Sequence, residues 1–135
     1  MPTEVLIGSC LCGAVRYEIR GTIESICHCH CTMCQKVHGS AFGTYAPVPR
    51  SDIQFTQGLP AIQAYQSSPS ALRRFCSICS SALLWENASE FPETAFLSVA
   101  TLDSPIARPT QRHIHVSSKV SWYEIADRWP QSEFY

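Results

Sequence analysis

Eight cysteines, at positions 10, 12, 27, 29, 31, 34, 76 and 79, constrain this chain more than any other feature. They fall into three clusters, C-x-C, C-x-C-x-C-x-x-C and C-x-x-C. Such spacing suits sulfurs converging on one ion better than disulfides between near neighbours. Compartment bears on the choice. The start, MPTEVLIGSC, has neither a basic n-region nor an apolar stretch long enough for a secretory signal. No apolar run approaches the ~20 residues of a membrane span. A cytoplasmic location is expected, and in a reducing cytosol an even cysteine count points to metal rather than to a disulfide framework.

At 135 residues, 45% of them hydrophobic, the chain reads as one compact domain over residues 1–135 with enough apolar material for a core. Net charge is −1 and the ten Lys and Arg are scattered, Arg73-Arg74 being the only adjacent pair. That excludes the basic patch a phosphate backbone requires, so neither nucleic acid nor membrane is expected as a partner. Nine prolines and six glycines cut the chain into short pieces. Val15, Tyr17 and Ile19 alternate with charged residues, the period-2 mark of a half-buried strand. Further short strands are read at Ala41 to Val48, Ile53 to Thr56, Arg73 to Phe75, Ala82 to Glu86, in AFLSVATL, and at His113 to Val116. Helical signal is confined to Thr32 to His38 and Trp122 to Trp129. A mainly β domain with metal sites in its turns is predicted.

The outer cysteine pairs complete each other. Cys10 and Cys12 open the first hairpin, followed by Gly13, which tolerates a positive φ. Cys76 and Cys79 form a knuckle whose tight turn brings two sulfurs near one point. Zinc takes four ligands at tetrahedral corners, so neither pair suffices alone, while the two together make a closed four-thiolate site. Redox chemistry at Cys76-x-x-Cys79 is the functional alternative. In the middle cluster, CHCHCTMC, two arrangements remain open. A closed site would use Cys27, Cys29, Cys31 and Cys34. An open one would use Cys29, Cys31 and Cys34, because Cys27, Cys29 and Cys31 on one strand face span about 13 Å. An open coordination position separates catalytic from structural zinc.

The strings GSCLCGAVRYEI, CHCTMCQKVHGSAF, RRFCSICSSAL and HIHVSSKVSWYEIADRWP resemble, in order and approximate spacing, the glutathione-dependent formaldehyde-activating enzyme family, from about residue 8 to residue 130. The resemblance implies a β-tent fold of several small coiled antiparallel sheets with short helices and two zinc ions. It assigns Cys10, Cys12, Cys76 and Cys79 to the structural ion, and Cys29, Cys31 and Cys34 to an exposed catalytic one; Cys27 has no counterpart in the shared pattern. By the same route the activity is that of a zinc-dependent carbon–sulfur lyase or synthase, condensing glutathione with formaldehyde to S-hydroxymethylglutathione. Two positions depart from the family: Ser80 stands where Gly is usual, and Gln35 where Arg is common.

Other residues are read more plainly. His28 and His30 flank the ligands and are taken as surface histidines in a turn. Lys36 and Lys119 are the candidates for glutathione's carboxylates, with Arg73 and Arg112 as further cations of the same kind. Trp122, Trp129 and Phe134 suit core or a dimer surface, which leaves a homo-oligomer open. Competing readings are a non-catalytic zinc module, since the β-tent also occurs in a chaperone-like partner of small GTPases and fold does not fix function, the same chemistry on another thiol and carbonyl pair, and a redox sensor.

Overall fold

The alternation at Val15, Tyr17 and Ile19 forms a half-buried strand, β2 (Arg16–Arg20), in a computed structural model that describes residues 4–135. Tyr17 and Ile19 are buried while Arg16 and Arg20 face solvent. β2 lies between β1 (Val5–Ser9) and β5 (Ile53–Gln57) in a three-stranded antiparallel sheet. Gly8 stands opposite Tyr17, where an added Cβ would lie 2.1 Å from the phenol ring, so no larger residue fits.

The second sheet has seven strands. In spatial order they are β10 (Thr110–Ile114), β3 (Ser25–Cys29), β4 (Gly43–Pro49), β9 (Thr94–Ser98), β8 (Ala82–Asn87), β7 (Ala71–Cys76) and β6 (Ile62–Ser68). The mainly β expectation holds, with the described strands in two sheets, antiparallel throughout except that β10 runs parallel to β3. A parallel neighbour needs a long crossover rather than a hairpin, and here most of the chain intervenes between the two strands. Between β3 and β4 sits α1 (Thr32–His38), the one α-helix among the described residues. No helix is long and apolar enough to cross a membrane.

Two apolar clusters result. The main core joins Leu6, Tyr17 and Ile19 of the small sheet to Val48, Leu84 and Leu97 of the large one. A smaller cluster gathers Cys27, Cys29, Cys34, Tyr45, Phe96 and Ile114. The middle cysteines are thus embedded in their own apolar surroundings, apart from the core that holds the sheets together.

The helix expected over Trp122 to Trp129 does not form. An isolated helix that short is marginal in water, and this tail finds other backbone partners. His113 N donates to the Pro130 carbonyl, Ser132 N to that of His113, and His115 N to that of Phe134. Asp127 Oδ1 accepts from Trp129 N, and Lys119 Nζ donates to the carbonyls of Val120 and Tyr123. The tail therefore lies along the free edge of β10. Trp122, Trp129 and Phe134 are exposed on it and form no part of the core.

The knuckle after β7 explains why glycine suits position 80. Ser80 N closes the turn on the Cys76 carbonyl at 2.7 Å with φ at 68°, a left-handed conformation that costs an L-residue about 1–2 kcal/mol. Ser80→Gly should therefore stabilise the fold by roughly 0.5–1 kcal/mol after the added freedom of the unfolded chain is subtracted. Chemical denaturation of the two proteins reads this directly; equal or lower stability in the glycine variant would contradict it.

Candidate functional site

Cys10 and Cys12 sit in the β1–β2 turn, where Gly13 N donates to the Cys10 carbonyl and Gly13 takes φ 78°. Cys76 ends β7, and Cys79 lies in the turn before β8. The four Sγ atoms all lie within 4.8 Å of one another. Cys10 and Cys12 sulfurs are 3.6 Å apart, and those of Cys12 and Cys76 are 3.9 Å apart. A tetrahedral ion with about 2.3 Å sulfur bonds has edges of about 3.8 Å, so this set fits zinc in spacing and in donor chemistry. Leu11 N donating to Ser81 Oγ at 2.9 Å ties the hairpin turn to the knuckle independently of any ion.

The second set is Cys29, Cys31 and Cys34, again mutually within 4.8 Å. Cys29 ends β3. Cys31 caps the N-terminus of α1, its sulfur accepting from Cys34 N at 3.3 Å, and Cys34 is buried in the first turn. Strand end, cap and first turn together turn three sulfurs to one point. Hydrogen bonding among them draws the Cys31 thiol down and pushes the Cys29 thiol up, each chiefly because of the other. Three thiolates this close repel and cannot all ionise without a cation, so the donor set fits a soft divalent ion. Cys27 is outside this set. It is buried on β3, and burial pushes its thiol up to about 11.

A cavity of about 160 Å³ opens against these sulfurs, walled by Trp85, Phe96 and Ile114 with Met33 and Tyr135 at its mouth. Arg73 enters it from β7. The guanidinium is buried, with Nη1 and Nη2 each 3.8 Å from Cys34 Sγ, Nη1 donating to Tyr45 Oη at 3.3 Å and Nε donating to Ser67 Oγ at 3.1 Å. Among the described residues it makes no ion pair with a carboxylate. Burial pulls its basicity down, yet the Cys34 sulfur and Tyr45 outweigh this and hold it above its ordinary value. Tyr45 Oη is also 2.5 Å from His38 Nε2. Gly43 allows that approach, since a Cβ there would meet the His38 ring at 2.6 Å.

His28 and His30 are not the surface turn residues expected. His28 lies on β3, bonded to Thr44 Oγ1 and Gln111 Oε1. His30 is fully buried because its backbone N extends the β3–β10 pairing by donating to the Ile114 carbonyl. Asp127 accepts from His113 Nε2 at 2.9 Å, leaving His113 Nδ1 to accept from His30 Nε2 at 2.8 Å. Burial, then His113, pushes His30 down to about 4, and its Nδ1 has no partner. His30 thus braces the segment between Cys29 and Cys31 through an Asp127–His113 pair. Only the residue spacing after β10 brings these groups together, and no motif in the sequence marks it.

The other cations part company. Lys36 is exposed on α1 and Lys119 is committed to the carbonyls of Val120 and Tyr123; neither lines the cavity. Arg112 stacks under the Tyr135 ring at 5.0 Å. Gln35 donates through Nε2 to the carbonyls of His30 and Ser118, pinning the turn before α1 to the segment after β10.

A family model described as glutathione-dependent formaldehyde-activating enzyme matches residues 5–118. A curated Halomonas elongata protein named "Putative glutathione-dependent formaldehyde-activating enzyme" is 31% identical over 131 residues, covering 92% of this chain and 83% of its own length. A crystal structure of a Rhodobacter sphaeroides protein superposes with a TM-score of 0.63 at 25% identity, covering 73% of this chain and 89% of that one.

Proposed function

Because the chain belongs to the glutathione-dependent formaldehyde-activating enzyme family, we propose that it is a cytoplasmic, zinc-dependent carbon–sulfur lyase of β-tent fold that joins a glutathione-type thiol to a small carbonyl. The observation that carries this reading is the second cysteine set: three convergent sulfurs facing a cavity beside a buried cation. Cys10, Cys12, Cys76 and Cys79 would hold a structural zinc. Cys29, Cys31 and Cys34 would hold a second one with a position left for substrate. Zinc so bound would favour the thiolate form of a fourth sulfur.

The chain's own residues supply the remainder. Three thiolates and a divalent ion sum to −1, and Arg73 brings the buried centre to neutrality. As the substrate sulfur bonds to the carbonyl carbon, the C=O π pair moves to oxygen, which takes the proton released by the thiol. For formaldehyde and glutathione the product is S-hydroxymethylglutathione, with no change of oxidation state. Arg73 is the cation among the cavity's described lining residues and would stabilise charge developing on that oxygen. The apolar wall formed by Trp85, Phe96 and Ile114 excludes water, which strengthens this interaction. For the tripeptide's carboxylates Lys36 is the candidate left exposed near the site; Lys119 is already engaged.

Exchange NMR of glutathione with formaldehyde tests the activity. Zinc-loaded protein should accelerate exchange with the hydroxymethyl adduct, and a rate no faster than background would remove the reaction from this chain. Arg73→Met tests the charge balance. With its counter-charge gone the metal-loaded centre is left with an uncompensated buried charge, so metal affinity at the second set should fall about 10–100-fold, far-UV CD confirming that the variant is folded. Competition with a chromogenic chelator measures it; unchanged affinity would rule out Arg73 as the counter-charge.

A further inference from the structure

The cavity is too large and too apolar for formaldehyde alone. Formaldehyde has two heavy atoms, and glutathione beyond its sulfur and β-carbon is a polar peptide, so neither brings apolar bulk to match about 160 Å³ of apolar-walled space. Water is a poor occupant of the remainder, since it needs two to four polar partners. Beyond the sulfurs, Arg73, Tyr45 and His115, the walls offer Trp85, Phe96, Ile114, Met33 and Tyr135. These walls are preformed. Trp85 meets Phe96 at 5.3 Å and 73°, and Phe91 meets Phe96 at 5.0 Å and 75°, both edge to face, while Phe91 contacts Tyr135 at 5.5 Å with a 46° tilt, so the rings hold one another in place. An apolar cavity of about 150 Å³ takes up benzene.

We infer that one of the two reactants carries a benzene-sized apolar group on its reacting atom, so that the substrate class is an aryl aldehyde or an arylmethyl thiol, with the ring seated against Trp85 and Phe96. This rests on the proposed thiol–carbonyl addition. With an aryl aldehyde the balance is R–SH plus Ar–CHO giving R–S–CH(OH)–Ar. The S–C bond forms, the C=O π bond breaks, and the thiol proton ends on oxygen. Arg73 lies 3.8 Å from the Cys34 sulfur and stands opposite Trp85 in the β7–β8 pairing, while Phe96 packs in the same cluster as Cys29 and Cys34, so the reacting centre and the aryl wall adjoin.

The test separates ligand class from reaction. Benzyl alcohol cannot condense, and saturation-transfer NMR with zinc-loaded protein should show saturable binding. Ile114→Phe adds bulk within the cavity and Met33→Trp narrows its exposed mouth, where folding is not at risk. Each should weaken binding at least about tenfold. Absence of saturable binding, or binding indifferent to Met33→Trp in a folded protein, overturns the inference. Exchange is then measured for glutathione with benzaldehyde, phenylmethanethiol with formaldehyde, and glutathione with formaldehyde. Acceleration of the first pair places the ring on the carbonyl, and of the second on the thiol; either supports the inference. Acceleration of the third alone overturns it and leaves the proposed function standing. Benzyl alcohol held in the cavity with no pair accelerated keeps the ligand class and overturns the reaction.

Discussion

Cys76→Ser is expected to yield a chain that does not fold at physiological temperature. Cys76 is wholly buried at the end of β7, and its sulfur lies 3.9 Å from that of Cys12, 64 residues earlier. The four-cysteine set therefore joins the turn of the small sheet to a β7–β8 turn of the large one. A structural zinc site in a small domain contributes on the order of 10 kcal/mol through coupled binding and folding. The net stability of a whole domain is only about 5–15 kcal/mol. Replacing one thiolate by a hydroxyl, a far poorer zinc ligand, removes enough of that contribution to reverse the balance. The Leu11–Ser81 bond across the same junction is worth only about 1 kcal/mol and does not compensate. Loss of the far-UV CD strand signal, with metal falling below one ion per chain, is the expected observation. A soluble variant that unfolds cooperatively and retains both ions would refute the assignment.

Legibility in the sequence followed how local each signal is. β2 declares itself by alternation, because one strand face is wet, and β5 and β8 by the turn residues beside them. β3 does not, since Ile26, Cys27 and Cys29 are all buried between two neighbours and no polar period is left to read. The cysteine sets were visible because their spacing is short and their chemistry is unusual. Arg73 was harder to place. Arg73 and Arg74 are adjacent and point to opposite faces, so nothing local says which one turns inward. Register in the large sheet decides it: Arg74, opposite Leu84, forms an ion pair with the buried Glu86, while Arg73, opposite Trp85, turns to Cys34. The Asp127–His113–His30 chain is less legible still. It spans a parallel pairing and a tail that carries no regular structure, and it converts His30, which reads as a surface residue, into a support of the segment that carries Cys29, Cys31 and Cys34.

Cys31→Ser and Cys27→Ala should divide the middle cluster between them. Serine is a better N-cap than cysteine, so the bond now made from Cys34 N to the residue-31 side chain survives and α1 keeps its start. Fold and the first metal should therefore be retained while the second site loses one of three sulfurs. Metal content should drop from two ions to one per chain, and glutathione–formaldehyde exchange should return to the uncatalysed rate. Cys27→Ala removes one buried atom that lies outside the three-sulfur set, at a cost of about 1 kcal/mol. Both ions and the exchange activity should persist. The contrast is stringent because the two residues are only four apart and both face the same cavity. If Cys27→Ala also sheds the second ion, four thiolates close the site, no position is left for a substrate sulfur, and the centre is a second clasp. If the ion stays, Cys27 is a wall of the cavity, and Cys29, Cys31 and Cys34 would hold the ion with room left for a substrate sulfur.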